Sequence, residues 1–161
     1  MQNSALLQFC YYLESTSLNA AIQDHFWIVP TMQSLHILAI ASVLVGVLLI
    51  NLRILGIHGQ SEPIATVIAR YKSLIWVALP ILLITGCIMI VGEPARSLTN
   101  PAFQLKMVML LAVILITLHF QRKWRNNHSY AQADLGNRLL SIVSLALWIG
   151  IVAAGRWIAY A

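Results

Sequence analysis

The sequence predicts an all-α integral membrane protein, an up-down bundle of four transmembrane helices with a short N-terminal interfacial helix. Three observations predict it. Of the 161 residues, 60% are hydrophobic and 9% charged, and mean hydropathy is +0.80, unlike a soluble domain. The apolar residues fall in four runs, each of about 20 residues, which match a hydrocarbon core about 30 Å thick. The loops between the runs are short, so successive helices must be antiparallel neighbours.

A single membrane domain over 1–161 is expected. Residues 1–25 mix apolar and polar side chains and break at Ser15-Thr16-Ser17. They read as a periplasmic-side interfacial segment of one or two short helices, with Phe9, Tyr11 and Tyr12 at headgroup level. The first crossing covers about 27–53, with Trp27 as an interface anchor and Pro30 in its first turn. Residues 54–63 carry turn chemistry, and Ser61-Glu62-Pro63 starts a helix of about 63–91. Pro80 is expected to bend that helix. Gly92 to Pro101 reads as a turn, in which Asn100 caps a third helix of about 102–120. A polar, basic loop then leads to a fourth helix of about 139–160.

A formal charge of +5 and a pI near 9.6 could suggest a nucleic-acid partner. The charges instead sit in short clusters between apolar runs, so they act as topology signals and no nucleic acid is expected. Arg53, Arg70 and Lys72 follow the first crossing, and Arg122, Lys123, Arg125 and Arg138 follow the third. This bias puts both loops in the cytoplasm and both termini on the periplasmic side of a bacterial inner membrane. The first residues lack a basic n-region and a cleavage pattern, so insertion through the first crossing is expected. Cys10 and Cys87 lie in unlike settings and suggest no disulfide.

The functional lead is polarity inside the apolar runs. Gln33 and His36 lie one turn apart in the first crossing, followed at three- and four-residue spacing by Ala39, Ser42 or Val43, and Gly46. An ionisable group at membrane depth is costly and faces a partner, cavity or cofactor. Counted at 1.5 Å per residue, His36 lies about 13 Å into its helix and Lys106 about 8 Å into the third. Arg156 returns to the same outer half late in the fourth crossing, and Glu93 borders it. His36, Gln33, Lys106 and Arg156 are therefore expected to converge. His119 lies about 24 Å along the third helix, so depth disfavours a His36–His119 haem.

An imidazole can ligate haem iron, and cations above it can pair with propionates. Lys106 offers a second ligand or an anchor. A quinone is another occupant, since His36 and Gln33 can exchange hydrogen bonds and protons with its carbonyls. Against these stand plain alternatives: His36 as interhelical glue, and Lys106 and Arg156 snorkelling to headgroups. Met32, Met89, Met107 and Met109 are possible soft copper ligands, though scattered core methionine explains them equally well.

Leu35-His36 through Gly46, then Leu52-Arg53, Thr85-Gly86, Phe103-Gln104-Leu105-Lys106 and His119, resemble the pattern of small four-helix membrane proteins. Two such groups are the haem-binding membrane protoporphyrinogen oxidases and the CopD-like copper-resistance domain. In the oxidases a first-helix His and a third-helix Lys are the key positions, matched here by His36 and Lys106. The resemblance is closer to an uncharacterised bacterial four-helix inner-membrane family, and it spans nearly the whole chain. It rests on Trp27-Pro30-Gln33-His36, Asn51-Leu52-Arg53-Ile54-Leu55-Gly56, Asn100-Pro101-Phe103-Lys106 and Gly155-Arg156-Ile158-Ala159-Tyr160. Gln33 and Asn51 depart from that pattern, standing where acids are usual. Together these readings lead to a b-type haem-binding protein with His36 as axial ligand, acting in electron transfer or as membrane anchor of a redox complex. A non-catalytic subunit packed against other membrane proteins is the alternative, and copper or small-solute transport the third.

Overall fold

The computed structural model describes residues 4–125 and 133–160, with side chains over 5–125 and 133–155. The described residues form seven helices. α1 (Ser4–Glu14) and α2 (Ser17–Asp24) are short, and four long helices follow: α3 (Ile28–Leu55), α4 (Ile64–Gly92), α6 (Pro101–Lys123) and α7 (Leu135–Tyr160). Each long helix is long and apolar enough to cross a membrane, which makes the chain a multi-pass membrane protein. α5 (Pro94–Leu98) is a single turn within the segment expected to be a simple turn; Pro94 at its start presets the helical φ.

The ends of the helices follow from local chemistry. Thr16 caps α2 by accepting the Asn19 N–H, and Asn100 caps α6 by accepting the Ala102 N–H with Pro101 at the first position. α3 stops at Gly56, whose φ of 74° is left-handed and whose N–H donates back to Arg53 and Leu52. Only glycine takes that conformation without strain. α4 remains helical through Pro80, whose side is exposed on the bundle surface.

The α3/α4 pair is the backbone of the fold. Along α3, Val29, Met32, His36, Ala39, Val43, Gly46 and Ile50 recur at alternating spacings of three and four, and none is exposed. Opposite them, in reverse order, stand Gly92, Met89, Thr85, Leu82, Ala78, Ile75 and Tyr71, again without an exposed member. The register is pinned at three levels. A Cβ placed on Gly92 would lie 3.6 Å from Val29, His36 touches Thr85, and a Cβ on Gly46 would lie 3.1 Å from Ile75. This is a heptad seam between antiparallel helices, brought close by Ala39, Gly46 and Ala78.

α6 and α7 form a second hairpin, joined at Met109 and Gly150 and, near the α6–α7 loop, by His119 to Asn137 and Lys123 to Asp134. α3 connects the hairpins. Buried Asn51 donates to Val47 and Ser144 and accepts from Ser141 of α7. Arg138 donates to the Leu55 carbonyl at the end of α3. α6 touches α3 and α4 only sparsely.

At the end of the bundle where α3 begins, the short helices form a cap. Asn19 donates to the carbonyls of Val91 and Gly92, and Gln23 donates to Gly92. These bonds satisfy orphan carbonyls at the C-terminus of α4. Cys10 is wholly buried beneath the cap.

Candidate functional site

His36 sits in the seam, one layer inside Met32 and Met89. Its Nδ1 lies 2.8 Å from the Thr85 hydroxyl, which itself lies 2.7 Å from the Ile81 carbonyl one turn back on α4. A hydroxyl has one proton; when the Ile81 carbonyl takes it, Nδ1 carries the ring hydrogen and donates to Thr85 Oγ1. The neutral ring then keeps its lone pair on Nε2, the nitrogen not committed to the seam. That is the arrangement a ligating histidine needs: one ring nitrogen held from behind by a protein acceptor, the other free to bind.

The space beside the ring is set by glycine. A Cβ on Gly86 would lie 3.5 Å from His36 Cε1. Lys106 lies early in α6, on the second hairpin. Its Nζ would lie 3.9 Å from a Cβ on Gly155. An imidazole and a lysine amine thus sit one on each hairpin, each beside a glycine. α3 and α6 run in the same direction, and both residues lie in the first halves of their helices.

The other sequence candidates are placed differently. Gln33 lies off the seam and is exposed on the bundle surface; the residue one turn from His36 on the seam is Met32. Arg156 is in α7, one residue beyond Gly155, but its side chain lies outside the described residues. Glu93 ends α4 and pairs with Arg96 at 3.2 Å on the surface. His119 is at the opposite end of the bundle, against Asn137. His25 and His58 are exposed, and His128 lies outside the described residues. No cluster of three or more His, Cys, Asp or Glu residues suited to a metal occurs among the described residues.

Two features escaped the sequence reading. Thr85-Gly86 is visible there as a point of close approach, but the role of Thr85 as partner of His36 requires the register of α3 on α4. Arg53 reads as a topology charge, yet it is only 1% exposed. Its Nε donates to the Glu62 carbonyl at 2.8 Å, which ties the α3–α4 loop back to the helix. Its two terminal nitrogens find no partner among the described residues.

No curated protein and no solved structure matches the chain. A family model does match, over residues 13–161, that is, from the end of α1 through all four long helices, His36 and Lys106 included. The chain accordingly belongs to the family of unknown function DUF6644.

Proposed function

We propose that this protein binds haem b in the membrane through Nε2 of His36, and that it passes electrons or anchors a redox complex. The observation that carries the reading is the 2.8 Å contact of Nδ1 with Thr85 Oγ1, which holds the ring from behind and leaves Nε2 outside that contact in an apolar bundle. The donor set fits the group. The imidazole would hold the iron, and Lys106 would supply either a further ligand or a cation for a propionate. Gly86 and Gly155 keep bulk away from both. Bound haem would supply one-electron chemistry at a potential tuned by its ligands and surroundings.

The residues of the chain do the rest. Thr85 holds the ring plane and raises the basicity of Nε2 through the hydrogen bond from Nδ1. The same reading puts the α3–α4 and α6–α7 loops in the cytoplasm of a bacterial cell, which the basic residues of those loops support. Likeness to haem-binding oxidases and CopD-like domains belongs to this proposal as well, and rests on His36 and Lys106.

The direct test is haem titration into purified haem-free protein in nanodiscs. A saturable Soret change at one haem per chain in the wild type, lost in His36→Ala, is expected. Absence of saturable binding by a folded wild type would overturn the proposal.

A second reading, a subunit of a larger membrane assembly, is favoured by one observation. Along its 23 residues, α6 buries only Val113 and Phe120, so most of its surface is open to lipid or to another protein. A partner retained on native gels after mild solubilisation would support it, and a chain running alone would count against it.

A further inference from the structure

The cap at the end of the bundle where α3 begins is not closed. Against the end of α4 it leaves a cavity of about 370 Å³ that opens widely at the surface. That is within the range of small-molecule sites, about 300–1,000 Å³. Glu14 at the end of α1 and Asn19 and Gln23 of α2 line one part of it. Gly92 at the end of α4, Glu93 and Arg96 of α5 line the other. Both signs of charge therefore border one open cavity, and its walls are polar and apolar together.

The polar groups divide by what they have left to offer. Asn19 and Gln23 give their amide N–H groups to the carbonyls of Val91 and Gly92, so each keeps its oxygen, an acceptor. Glu14 has no ion-pair partner among the described residues. Glu93 pairs with Nη1 of Arg96 at 3.2 Å, and both side chains remain about half exposed, at 50% and 56%. That pair uses one nitrogen of a guanidinium that carries five N–H donors. The C-terminal ends of α1 and α4 also border the cavity, and a helix C-terminus favours a cation. Acceptors and carboxylates thus await a cation, with one arginine beside them for an anion.

The surroundings say where such a molecule comes from. Phe9, Tyr11 and Tyr12 of α1, and Phe26 and Trp27 before α3, are all more than half exposed. Exposed aromatic rings at the ends of membrane helices sit at headgroup level, so the cavity opens among lipid headgroups. We propose that it binds the headgroup of a phospholipid with a primary amine, phosphatidylethanolamine. The ammonium would lie among Glu14, Glu93 and the amide oxygens, and the phosphate on Arg96. A primary ammonium brings three N–H donors to these acceptors, as a lysine does, whereas the quaternary ammonium of phosphatidylcholine brings none. The planar guanidinium suits phosphate oxygens. A bare divalent cation fits less well, because Arg96 beside the carboxylates repels it. The site shares no residue with His36 and does not depend on haem.

The test is native mass spectrometry of delipidated full-length protein in detergent, titrated with the dioleoyl forms of phosphatidylethanolamine, phosphatidylcholine or phosphatidylglycerol. Saturable binding of phosphatidylethanolamine is expected, about fivefold or more tighter than that of phosphatidylcholine. Glu14→Gln/Glu93→Gln should erase this preference. Arg96→Gln should weaken both lipids and keep it. Glu62→Gln, a like charge change at the opposite end of the bundle, should change nothing. Helical circular dichroism and gel filtration establish that each variant is folded. Equal affinity for the ethanolamine and choline lipids, an unchanged preference in the folded double variant, or tighter binding of phosphatidylglycerol would each overturn the proposal. So would equally tight binding of glycerophosphoethanolamine, the same headgroup without acyl chains, since the occupant would then be a soluble molecule and not a lipid.

Discussion

A single hydroxyl decides what His36 can do. With the Thr85 proton on the Ile81 carbonyl, Nδ1 is the donor and Nε2 the open position. Thr85→Val keeps the shape of the side chain but removes the acceptor. It should cost about 0.5–1.5 kcal/mol of stability and weaken haem binding, and Thr85→Ser should restore both. Thermal unfolding in detergent and haem titration read the two effects separately. Gly46 makes a different kind of residue-level demand. A Cβ there would stand 3.1 Å from Ile75 Cγ1, and the seam has little slack, so Gly46→Ala should destabilise by about 1 kcal/mol or more. Ile75→Ala in the same chain should recover part of that loss. Additive losses would mean that the two positions do not meet.

At the scale of the element, the short helices act as a cap tied to α4 by Asn19 and Gln23. Cys10, wholly buried under that cap, reports on it. A water-soluble maleimide should leave Cys10 unlabelled in the wild type and label it in Asn19→Leu/Gln23→Leu; equal labelling of the two would contradict the clamp. The α6–α7 hairpin is fastened by Asp134, whose carboxyl is held from its ordinary 3.8 down to about 2, first by the hydrogen bond from Lys123 and then by that from Asn137. Folding thus favours the ionised form. Its contribution is complete above about pH 4 and is lost as the pH falls towards 2, with no change between pH 5 and 8. Asp134 is exposed, so the effect is small. Hydrogen exchange in the first turn of α7 should quicken over that acid window in the wild type and show no such dependence in Asp134→Asn.

For the whole molecule, four apolar runs and short loops were enough to predict the bundle. The structure extends the expected crossings by one to four residues at most ends, where apolar periodicity fades before the helix does. The small-residue face of the first crossing was legible too: His36, Ala39, Val43 and Gly46 lie on the seam. Gln33 does not, because the heptad seam continues from His36 to Met32. What sequence alone could not reveal depends on register between helices. Thr85 meets His36 only when α3 lies on α4 at one offset. The burial of Arg53 depends on such tertiary placement too, through the Glu62 carbonyl and the loop beyond Gly56. Opposite charge bias at the two ends gives the topology its test. Reporter fusions after Lys72 and after Arg125 should be active in the cytoplasm, and a fusion after Arg96 should not; the reverse pattern would invert the bundle.

The reduced-minus-oxidised visible spectrum of protein purified from haem-replete cells tests the central claim most directly, with His36→Ala and Thr85→Val measured alongside the wild type. A Soret band and a reduced α-band are expected in the wild type, their loss in His36→Ala, and a shifted or weakened band in Thr85→Val. A folded, colourless wild type, or an unchanged spectrum in folded His36→Ala, would contradict it.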